Sequence, residues 1–472
     1  MVDSAPGQTG TLPRHPCARV PGVERSFDVV VLGAGPAGET AAGRLGEAGL
    51  EVAVVEAHLV GGECSYYACM PSKALLRPGQ VAAEAERTPG VGAAPLDVPA
   101  VLRRRDEVVY GLDDAAQLPW LEQRGVSLVR GPGRLDGERR VAVGGDVLVA
   151  RQAVVLATGT GPLLPPLPGL AEAAVWTNRE GTNASTVPRR LLVLGGGVAG
   201  VELAQAWASL GAQVTVLEGA ERLLVREEPF AGEQVADGLR ALGATVRTGV
   251  RAVAVRREGD VTVELDDGSR ATGDELLVSV GRRPATSEIG LESVGLEPGE
   301  AVEVGDDLRS VRHDWLWAVG DVNGRAPLTH MGKYQARLAA DAILGRDVRV
   351  RSDGALSPRV IFTEPQVAAV GHTLVSAREA GLTVRAVDVD TAGSAGGVFS
   401  GVGAPGTSRF VVDEDRRILL GATFTGPEVA EWLHAATIAV VGEVPLDTLW
   451  HAVPPFPTRS EVWLKLLEAY GL

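Results

Sequence analysis

Two cysteines five residues apart are the feature of this chain best suited to chemistry. Cys64 and Cys69 lie in GGECSYYACMPSK, residues 61–73, and they are two of the three cysteines among 472 residues. Such a pair could bind a metal, form a structural disulfide, exchange disulfides with a substrate or simply be buried. Zinc sites favour CxxC pairs with two further ligands, and no other Cys or nearby His cluster is available, so the metal interpretation is weak.

The spacing of the two cysteines sets a geometric condition. Residues five apart on a regular helix are separated by about 7.5 Å of rise, whereas a disulfide needs Cα atoms within about 4.4–6.8 Å. A bridge therefore requires a distorted first turn, which Gly61 and Gly62 make easier. The exposed N–H groups at such a helix start would also lower a thiolate pKa. Two unrelated buried thiols are the alternative at this stage.

Two stretches of the chain have the order strand, glycine motif, helix, strand and acid. The first contains FDVVVLGAGPAG (27–38) and EVAVVE; the second contains LLVLGGGVAG and QVTVLE (213–218). In both, the acid lies eighteen residues beyond the third glycine. The residues concerned are Gly33, Gly35, Gly38 and Glu56 in the first unit, and Gly195, Gly197, Gly200 and Glu218 in the second.

These units predict two bound dinucleotides. The first glycine permits a tight turn, the second lets the backbone approach a pyrophosphate, and the third lets helix and strand pack closely. The helix N-terminus faces the phosphates, and the acid accepts the ribose hydroxyls. One dinucleotide could be a bound flavin and the other a nicotinamide, so that hydride passes between them. Because the cysteines follow the first unit almost at once, a redox pair is favoured over unrelated buried thiols.

Glu218 bears on which nicotinamide binds. A carboxylate there suits a free 2′-hydroxyl and repels a 2′-phosphate, which favours NADH. Arg222 and Arg226 lie close enough in sequence to weaken that preference, so NADPH stays an alternative.

The bulk composition excludes several classes of protein. The net charge of -15 and the lack of a basic run argue against nucleic acid as a partner. The length suggests about three domains. No signal peptide and no stretch of about 18 uninterrupted apolar residues is evident, so we expect no membrane span and a cytoplasmic location. The Pro- and Gly-rich start predicts a flexible N-terminal arm, with Cys17 a bystander on it.

These motifs, in this order, resemble the flavoprotein disulfide reductases, which include dihydrolipoamide dehydrogenase, glutathione reductase and mercuric reductase. Four further segments match the family: AVVLATGTGPLLPPLPG (153–169), VSVGRRPAT (278–286), WLWAVGDVNG (315–324) and SPRVIFTEPQVAAVG (357–371). They resemble, in turn, its crossing strand, its return to the flavin domain, its second FAD signature and the start of its dimerisation domain.

The resemblance implies an α/β fold with two Rossmann-like dinucleotide-binding domains, for FAD and NAD, and a C-terminal α+β dimerisation domain. It also implies a homodimer, because in this family the C-terminal region of the partner subunit completes each active site. The expected boundaries are an arm at 1–26, an FAD domain at 27–168 and 285–352, an NAD(P) domain at 169–284 and a dimerisation domain at 353–472.

The resemblance also implies roles for individual residues. Cys69 would be the charge-transfer thiolate against the flavin, and Cys64 the interchange thiol that attacks a substrate. Lys73 would lie near flavin N5 with Glu202 as its partner, and Asp321 would bind the ribityl chain. The expected FAD residues are Gly33, Gly35, Gly38, Glu56, Lys73, Thr158, Gly159 and Asp321. The expected NAD residues are Gly195, Gly197, Gly200, Glu202, Glu218 and Gly281.

The C-terminal signature departs from the family. The family carries His-Pro-Thr-x-Ser-Glu, whose histidine protonates and deprotonates the interchange thiol and whose glutamate orients the ring. Here WHAVPPFPTRSEVW (450–463) places Phe456 in the histidine position and retains Glu461. His451 could reach the site from upstream, the site could work without a side-chain acid–base, or disulfide turnover could be lost.

Three functions follow from these observations, and the acceptor is not identified by the sequence. The first is NAD(P)H-dependent reduction of a disulfide, or oxidation of a dihydrolipoamide-type dithiol. The second is reduction of a quinone or another electron acceptor, and the third is a redox-sensing flavoprotein with slow turnover. Mercury is disfavoured because the chain lacks a C-terminal vicinal cysteine pair. Tyr66 and Tyr67 would favour a flat acceptor if they face the site, and would only pack if they face the core.

Overall fold

The computed structural model describes residues 22–92 and 94–472. Cys17 and most of the predicted arm lie outside this part of the chain. The last residues of the expected arm, 1–26, overlap the first strand, which begins at Glu24. Polar side chains hide this strand start in the sequence, but its backbone pairs with a later strand, and Arg25 lies 3.5 Å from Asp146.

The first part of the chain builds a mainly parallel sheet with helices against it. Its elements are β1 (Glu24–Leu32), α1 (Pro36–Glu47), β2 (Val52–Glu56), α2 (Gly62–Tyr66), α3 (Cys69–Arg87), α4 (Val98–Val108), α5 (Leu118–Glu122), β3 (Val126–Arg130), β4 (Gly133–Leu135), β5 (Arg140–Val143), β6 (Asp146–Leu156) and β7 (Thr160–Pro162). The strand order is β3-β2-β1-β6-β5-β4, with β1 parallel to both β2 and β6. Buried valines and leucines fill these strands on both faces, as expected for a covered parallel sheet.

The middle of the chain builds a second parallel sheet. Its elements are α6 (Asn178–Asn183), β8 (Arg190–Leu194), α7 (Val198–Ser209), β9 (Gln213–Leu217), α8 (Pro229–Ala241), β10 (Thr245–Arg247), β11 (Ala252–Glu258), β12 (Asp260–Leu265), β13 (Arg270–Gly273) and β14 (Glu275–Val278). They are followed along the chain by β15 (Arg282–Pro284), β16 (Leu316–Ala318) and α9 (Thr329–Ile343). The order β10-β9-β8-β14 is parallel throughout, and β11-β12-β13 form a separate antiparallel sheet.

The chain then returns to the first sheet. Strands β7 and β15 pair antiparallel where the chain leaves and re-enters, and β16 lies parallel to β6. Helix α9 packs on α1, and the guanidinium of Arg44 donates to both carboxylate oxygens of Asp341 between them. The first nucleotide unit is therefore built from chain segments that come before and after the second unit in the sequence. The domain boundaries themselves stay a prediction.

The last part of the chain is an antiparallel sheet covered by helices. Its elements are β17 (Arg359–Ile361), β18 (Gln366–Gly371), α10 (Leu374–Glu379), β19 (Val384–Asp390), β20 (Thr407–Asp413), β21 (Ile418–Gly426), α11 (Leu433–Val441), α12 (Leu446–Trp450) and α13 (Val462–Tyr470). The order is β17-β18-β21-β20-β19. With this module, the chain as a whole has the predicted α/β fold and the predicted C-terminal α+β domain. Within the described residues, no helix is both long and apolar enough to cross a bilayer.

Candidate active site

A break between two helices brings the cysteines together. Helix α2 starts from Gly61 and Gly62, whose φ values of 108° and 58° lie in the left-handed region, and it ends after five residues. The next two residues leave helical geometry. Tyr67 has φ -134° and ψ -1°, and Ala68 has φ -136° and ψ -94°. Cys69 is the first residue of α3, and both cysteines are present as thiols. The distorted turn that the spacing requires is therefore built from α2 and the start of α3.

The two thiols have opposite electrostatic environments. The hydrogen-bonding interaction with Cys64 is the largest cause that lowers the pKa of Cys69, to about 6, and it outweighs the burial that raises it. The hydroxyl of Thr329 at the start of α9, 3.4 Å from the Cys69 sulfur, and the Lys73 ammonium lower it further. The same interaction and burial raise the pKa of Cys64. The site thus stabilises a thiolate at Cys69, at the N-terminus of a long helix.

Lys73 and Glu202 form the ion pair that the sequence predicted. The Lys73 ammonium lies 2.6 Å from Glu202 Oε2, and the Glu202 side chain is 4% exposed. The other oxygen, Oε1, accepts from the backbone N–H of Phe362 at 2.9 Å, and the ring of Phe362 lies 4.9 Å from the Lys73 nitrogen. One carboxylate therefore joins α3, α7 and the segment before β18, and it fixes a cation one helical turn from Cys69.

The glycines of the two nucleotide units divide into two kinds. A Cβ at Gly33 or Gly195 would lie 2.5 Å from a backbone oxygen, and at these positions φ is 102° and 108°. The middle glycines differ, since a Cβ at Gly35 would lie 4.0 Å from its nearest neighbour and one at Gly197 would meet nothing within 4 Å. The third glycines, Gly38 and Gly200, are again closed, with a Cβ about 2 Å from a carbonyl oxygen.

The acids of the two units make the same contacts. Glu56 accepts from the backbone N–H of Ala34 at 2.7 Å, and Glu218 accepts from that of Gly196 at 2.5 Å. Each also accepts from the N–H two residues further on, at 2.7 Å. Helices α1 and α7 begin at Gly35 and Gly197 without a side-chain cap. Each unit therefore presents open space, free helix N–H groups and a carboxylate in one place, which suits a dinucleotide.

The remaining predicted cofactor residues lie where the chain crosses between the sheets. Thr158 has a buried hydroxyl oxygen with no hydrogen-bond partner in the described structure. The Gly159 carbonyl accepts from Ala285 N–H at 2.9 Å, and the Gly281 carbonyl accepts from Leu163 N–H at 3.0 Å. Asp321 accepts from the hydroxyl of Thr160 at 2.7 Å. An unpaired buried hydroxyl beside the open first unit fits a polar cofactor there.

Comparison with known proteins identifies the family. The family model for pyridine nucleotide-disulphide oxidoreductases matches residues 27–336, and the model for the dimerisation domain of the same family matches residues 357–467. The chain belongs to this family. The pyridine nucleotide-disulphide oxidoreductases use FAD and NAD(P)H, so the two dinucleotide units correspond to these two cofactors.

Several known proteins are similar to this chain over most of its length. A dihydrolipoyl dehydrogenase from Haloferax volcanii is 32% identical over 93% of this chain and 95% of that protein. A mercuric reductase from Staphylococcus aureus is 28% identical, covering 92% and 81% of the two chains. The HOCl-induced flavoprotein disulfide reductase RclA from Escherichia coli superimposes with a TM-score of 0.83 at 26% identity, over 94% of this chain and 99% of that chain.

The C-terminal segment of this oxidoreductase places Phe456 and Glu461 in different surroundings. Phe456 is 77% exposed, and Glu461 Oε2 accepts from the backbone N–H of Gly396 at 2.9 Å. His451 is exposed at the end of α12. Among the residues that the structure describes, no histidine hydrogen-bonds to either cysteine.

Several site residues were not found from the sequence. Thr329 contacts Cys69, and Glu63, directly before Cys64, is bound by two arginines. Glu63 could have been noticed as a carboxylate beside a redox cysteine, but its partners lie more than a hundred residues away. The orientation of the two tyrosines is now visible: Tyr66 is fully buried, and Tyr67 lies beneath the Arg179 guanidinium, 4.8 Å from its ring centre.

Proposed function

We propose that this protein is an NAD-linked flavoenzyme that uses the Cys64–Cys69 pair to pass two electrons from NADH to a disulfide substrate, or in the opposite direction from a dihydrolipoamide-type dithiol to NAD⁺. FAD, held by the first nucleotide unit, would supply the two-electron chemistry that links the nicotinamide to the sulfurs. The observation that carries the proposal is the pair at the α2–α3 break, where Cys69 has a pKa lowered to about 6. We also propose a cytoplasmic location, on the low cysteine count.

The protein residues would divide the work as follows. Glu56, Gly35 and Thr158 would hold FAD, and Thr329, Lys73 and the start of α3 would keep Cys69 as a thiolate at neutral pH. Cys64, whose pKa is raised, would stay protonated until an acceptor reaches it. In the second half-reaction, Cys64 gives its proton to solvent and attacks one sulfur of the acceptor disulfide, which breaks that S–S bond, forms a mixed disulfide and releases the other acceptor sulfur as a thiolate. Cys69 then attacks the Cys64 sulfur and displaces the second acceptor thiolate, and the two thiolates take up protons from solvent.

The preference for NADH over NADPH rests on the charge of Glu218 and on the hydrogen bonds of Arg222. Glu218 stands at the ribose position of the second unit and presents a negative charge there. Arg222 does not offset it, because its guanidinium donates to the carbonyl oxygens of Leu224, Val225 and Glu227 at 2.9 Å each. Because the Arg222 guanidinium donates to the carbonyls of its own loop, it is not free to bind a 2′-phosphate.

Substitution of Glu218 tests this preference. Glu218→Gln should lower kcat/KM for NADH about 10- to 100-fold, since a hydrogen bond to a charged group contributes about 1.5–3 kcal/mol. The ratio of NADH to NADPH use should fall by a similar factor in initial-rate assays. Glu221→Gln, an exposed carboxylate of the same loop, is the matched control. An unchanged ratio, or a wild type that prefers NADPH, would contradict the assignment.

A homodimer is proposed from an exposed apolar surface on the dimerisation domain. Phe399 and Phe456 are 75% and 77% exposed, and Val398, Val402 and Val453 are each 69–80% exposed. We take these residues as one face because the two segments that carry them meet where the Gly396 N–H donates to Glu461. Exposed apolar side chains in such a group are typical of a protein interface. By the family resemblance, this face brings Phe456 towards the partner's cysteines.

A second function is favoured by Phe456 itself. A phenyl side chain has no acidic proton to donate to a leaving thiolate, and general acid–base catalysis contributes about 100- to 10,000-fold. Acceptors that release no thiolate, such as quinones, which can take their protons from solvent, would be reduced without this loss. Reduction of a quinone or other electron acceptor is therefore the alternative activity.

One assay separates the two functions. Purified protein is given NADH with either lipoamide or a quinone, and Cys64→Ser is compared with wild type. Lipoamide turnover should fall below about 1% in the variant if Cys64 is the exchange thiol, since an alcohol does not exchange with disulfides. Cys17→Ser, which removes the remaining cysteine, should leave the rate unchanged.

The quinone result decides between the functions. Quinone turnover that survives Cys64→Ser would show electrons leaving without the pair and would favour the alternative activity. Lipoamide turnover that survives the substitution would contradict the main proposal. Slow turnover with both acceptors would contradict both activities and leave a redox-sensing role.

A further inference from the structure

The carboxylate of Glu63 is bound from two directions. Glu63 precedes Cys64 on α2, and its side chain is 23% exposed. Arg179 of α6 donates from Nε to Glu63 Oε1 at 2.6 Å, and Asn178 Nδ2 donates to Oε2 at 2.8 Å. The guanidinium of Arg282 lies 3.7 Å from Oε2. Two cations and an amide thus hold a helix that is five residues long.

Helix α6 also caps the break between the cysteines. The carbonyls at the end of α2 have no helical partner, and such groups need one when they are buried. Asn178 Nδ2 donates to the Tyr67 carbonyl at 2.8 Å, Thr182 donates to the same oxygen at 3.2 Å, and Asn183 donates to the Tyr66 carbonyl at 3.2 Å. Side chains of α6 therefore stabilise both the start and the end of the cysteine-bearing segment.

Arg282 extends these contacts to the crossing strands. Its Nη1 donates to Asn178 Oδ1 at 3.2 Å, its Nε donates to Thr160 Oγ1 at 2.7 Å, and Thr160 donates in turn to Asp321 at 2.7 Å. The position of α2 is thus set by the segment that joins the two nucleotide units. A helix this short has no stability of its own, because nucleation alone is unfavourable.

We propose that Glu63 is a positioning residue that holds Cys64 opposite Cys69 and so favours their disulfide over the dithiol. This inference rests on the proposed function, because it takes the two cysteines as the redox pair. Removal of the carboxylate charge weakens the contacts to Arg179 and Arg282 and lets α2 move relative to α3. Ring closure between the sulfurs then becomes less favourable, whereas the open dithiol is hardly affected.

The thiol–disulfide equilibrium measures this effect directly. Purified holoenzyme is equilibrated with glutathione, so that the protein disulfide and two glutathione thiols form the protein dithiol and one glutathione disulfide. The fraction of oxidised pair is read by alkylation and mass analysis of the peptide that contains Cys64 and Cys69. Glu63→Gln should shift the equilibrium about tenfold towards the dithiol, which is about 30 mV for this two-electron couple.

A matched control separates positioning from a general loss of an ion pair. Glu275 pairs with Arg257 at 2.8 Å, with side chains 29% and 23% exposed, far along the chain from the cysteines. Glu275→Gln should leave the equilibrium constant at the wild-type value. An equal shift in both variants, or none in Glu63→Gln, would overturn the proposal.

A double-mutant cycle tests the named contact. Arg179→Gln should give a shift similar to Glu63→Gln, and the double variant should add little, because both remove one interaction. Fully additive shifts would overturn the role of this contact. A wild-type protein that forms no Cys64–Cys69 disulfide at any glutathione ratio would instead overturn the proposed function, so the two failures are distinguishable.

Discussion

Gly35→Val should yield a colourless protein without FAD, whereas Gly197→Val should remain yellow and lose its affinity for NADH. Both glycines are the middle members of their motifs, where the backbone must come close to a pyrophosphate. A valine at either position places two methyl groups in the space that the phosphates need. Because the two units are separate, each substitution should affect one dinucleotide only.

The structure indicates that both variants should fold. Gly35 and Gly197 have φ values of -73° and -77°, which other residues adopt without strain. The added Cβ meets little at either position. The first glycines are unsuitable for this test, since at Gly33 or Gly195 both a positive φ and a carbonyl contact at 2.5 Å would destabilise the fold itself.

Two measurements check the pair of variants. The absorbance of the purified protein near 450 nm gives the FAD content, and titration of the oxidised protein with NADH gives the second affinity. We expect FAD occupancy to fall below about one tenth in Gly35→Val, and the NADH dissociation constant to rise at least about tenfold in Gly197→Val, the loss of about 1.4 kcal/mol. Flavin retention in Gly35→Val, or flavin loss in Gly197→Val, would contradict the assignment of the units.

The features that could be predicted from the sequence are those encoded locally. Each nucleotide unit is specified by a buried strand, three glycines and an acid within about thirty residues, and the glycine geometry agrees with the roles expected from their spacing. The geometric condition for a disulfide between Cys64 and Cys69 also depends only on residues that are close together in the sequence. Five residues of separation demanded a distorted turn, but the chain leaves helical geometry at Tyr67 and Ala68, between the cysteines, and not at the glycines before Cys64.

The features that escaped prediction depend on contacts between distant segments. Glu63 meets Arg179 and Arg282 only because the crossing strands bring the segments together, and neither arginine belongs to a recognisable motif. The burial of Tyr66 likewise depends on what packs around α2. A pattern of residue types along the chain carries no information about such partners, so these contacts became visible only in the folded structure.

Phe456→His should raise lipoamide turnover about 100-fold or more. General acid–base catalysis is worth about 100- to 10,000-fold, and the family places a histidine at this position to move the proton of the interchange thiol. Phe456 is 77% exposed on its own subunit, so the exchange should cost the subunit fold little stability. Glu461 uses Oε2 for the Gly396 N–H. Its other oxygen, Oε1, could then accept from an imidazole N–H.

The rise should have the signature of a histidine. The increase in rate should depend on pH with an inflection near about 6.5, the ordinary pKa of an imidazole, and wild type should lack this inflection. Phe399→His is the matched control, because Phe399 is 75% exposed on the same apolar surface. It should leave the rate unchanged, and adding Glu461→Gln to Phe456→His should remove most of the gain.

The result would show which step of disulfide exchange is affected by having Phe456 at this position. A gain with Phe456→His alone would mean that the cysteines, Lys73 and Glu202 still form a competent exchange site that lacks only its proton donor. An unchanged rate, or an equal gain in Phe399→His, would contradict this and place the loss elsewhere. If quinone turnover stays constant while lipoamide turnover rises, then Phe456 limits proton transfer to sulfur and not the supply of electrons.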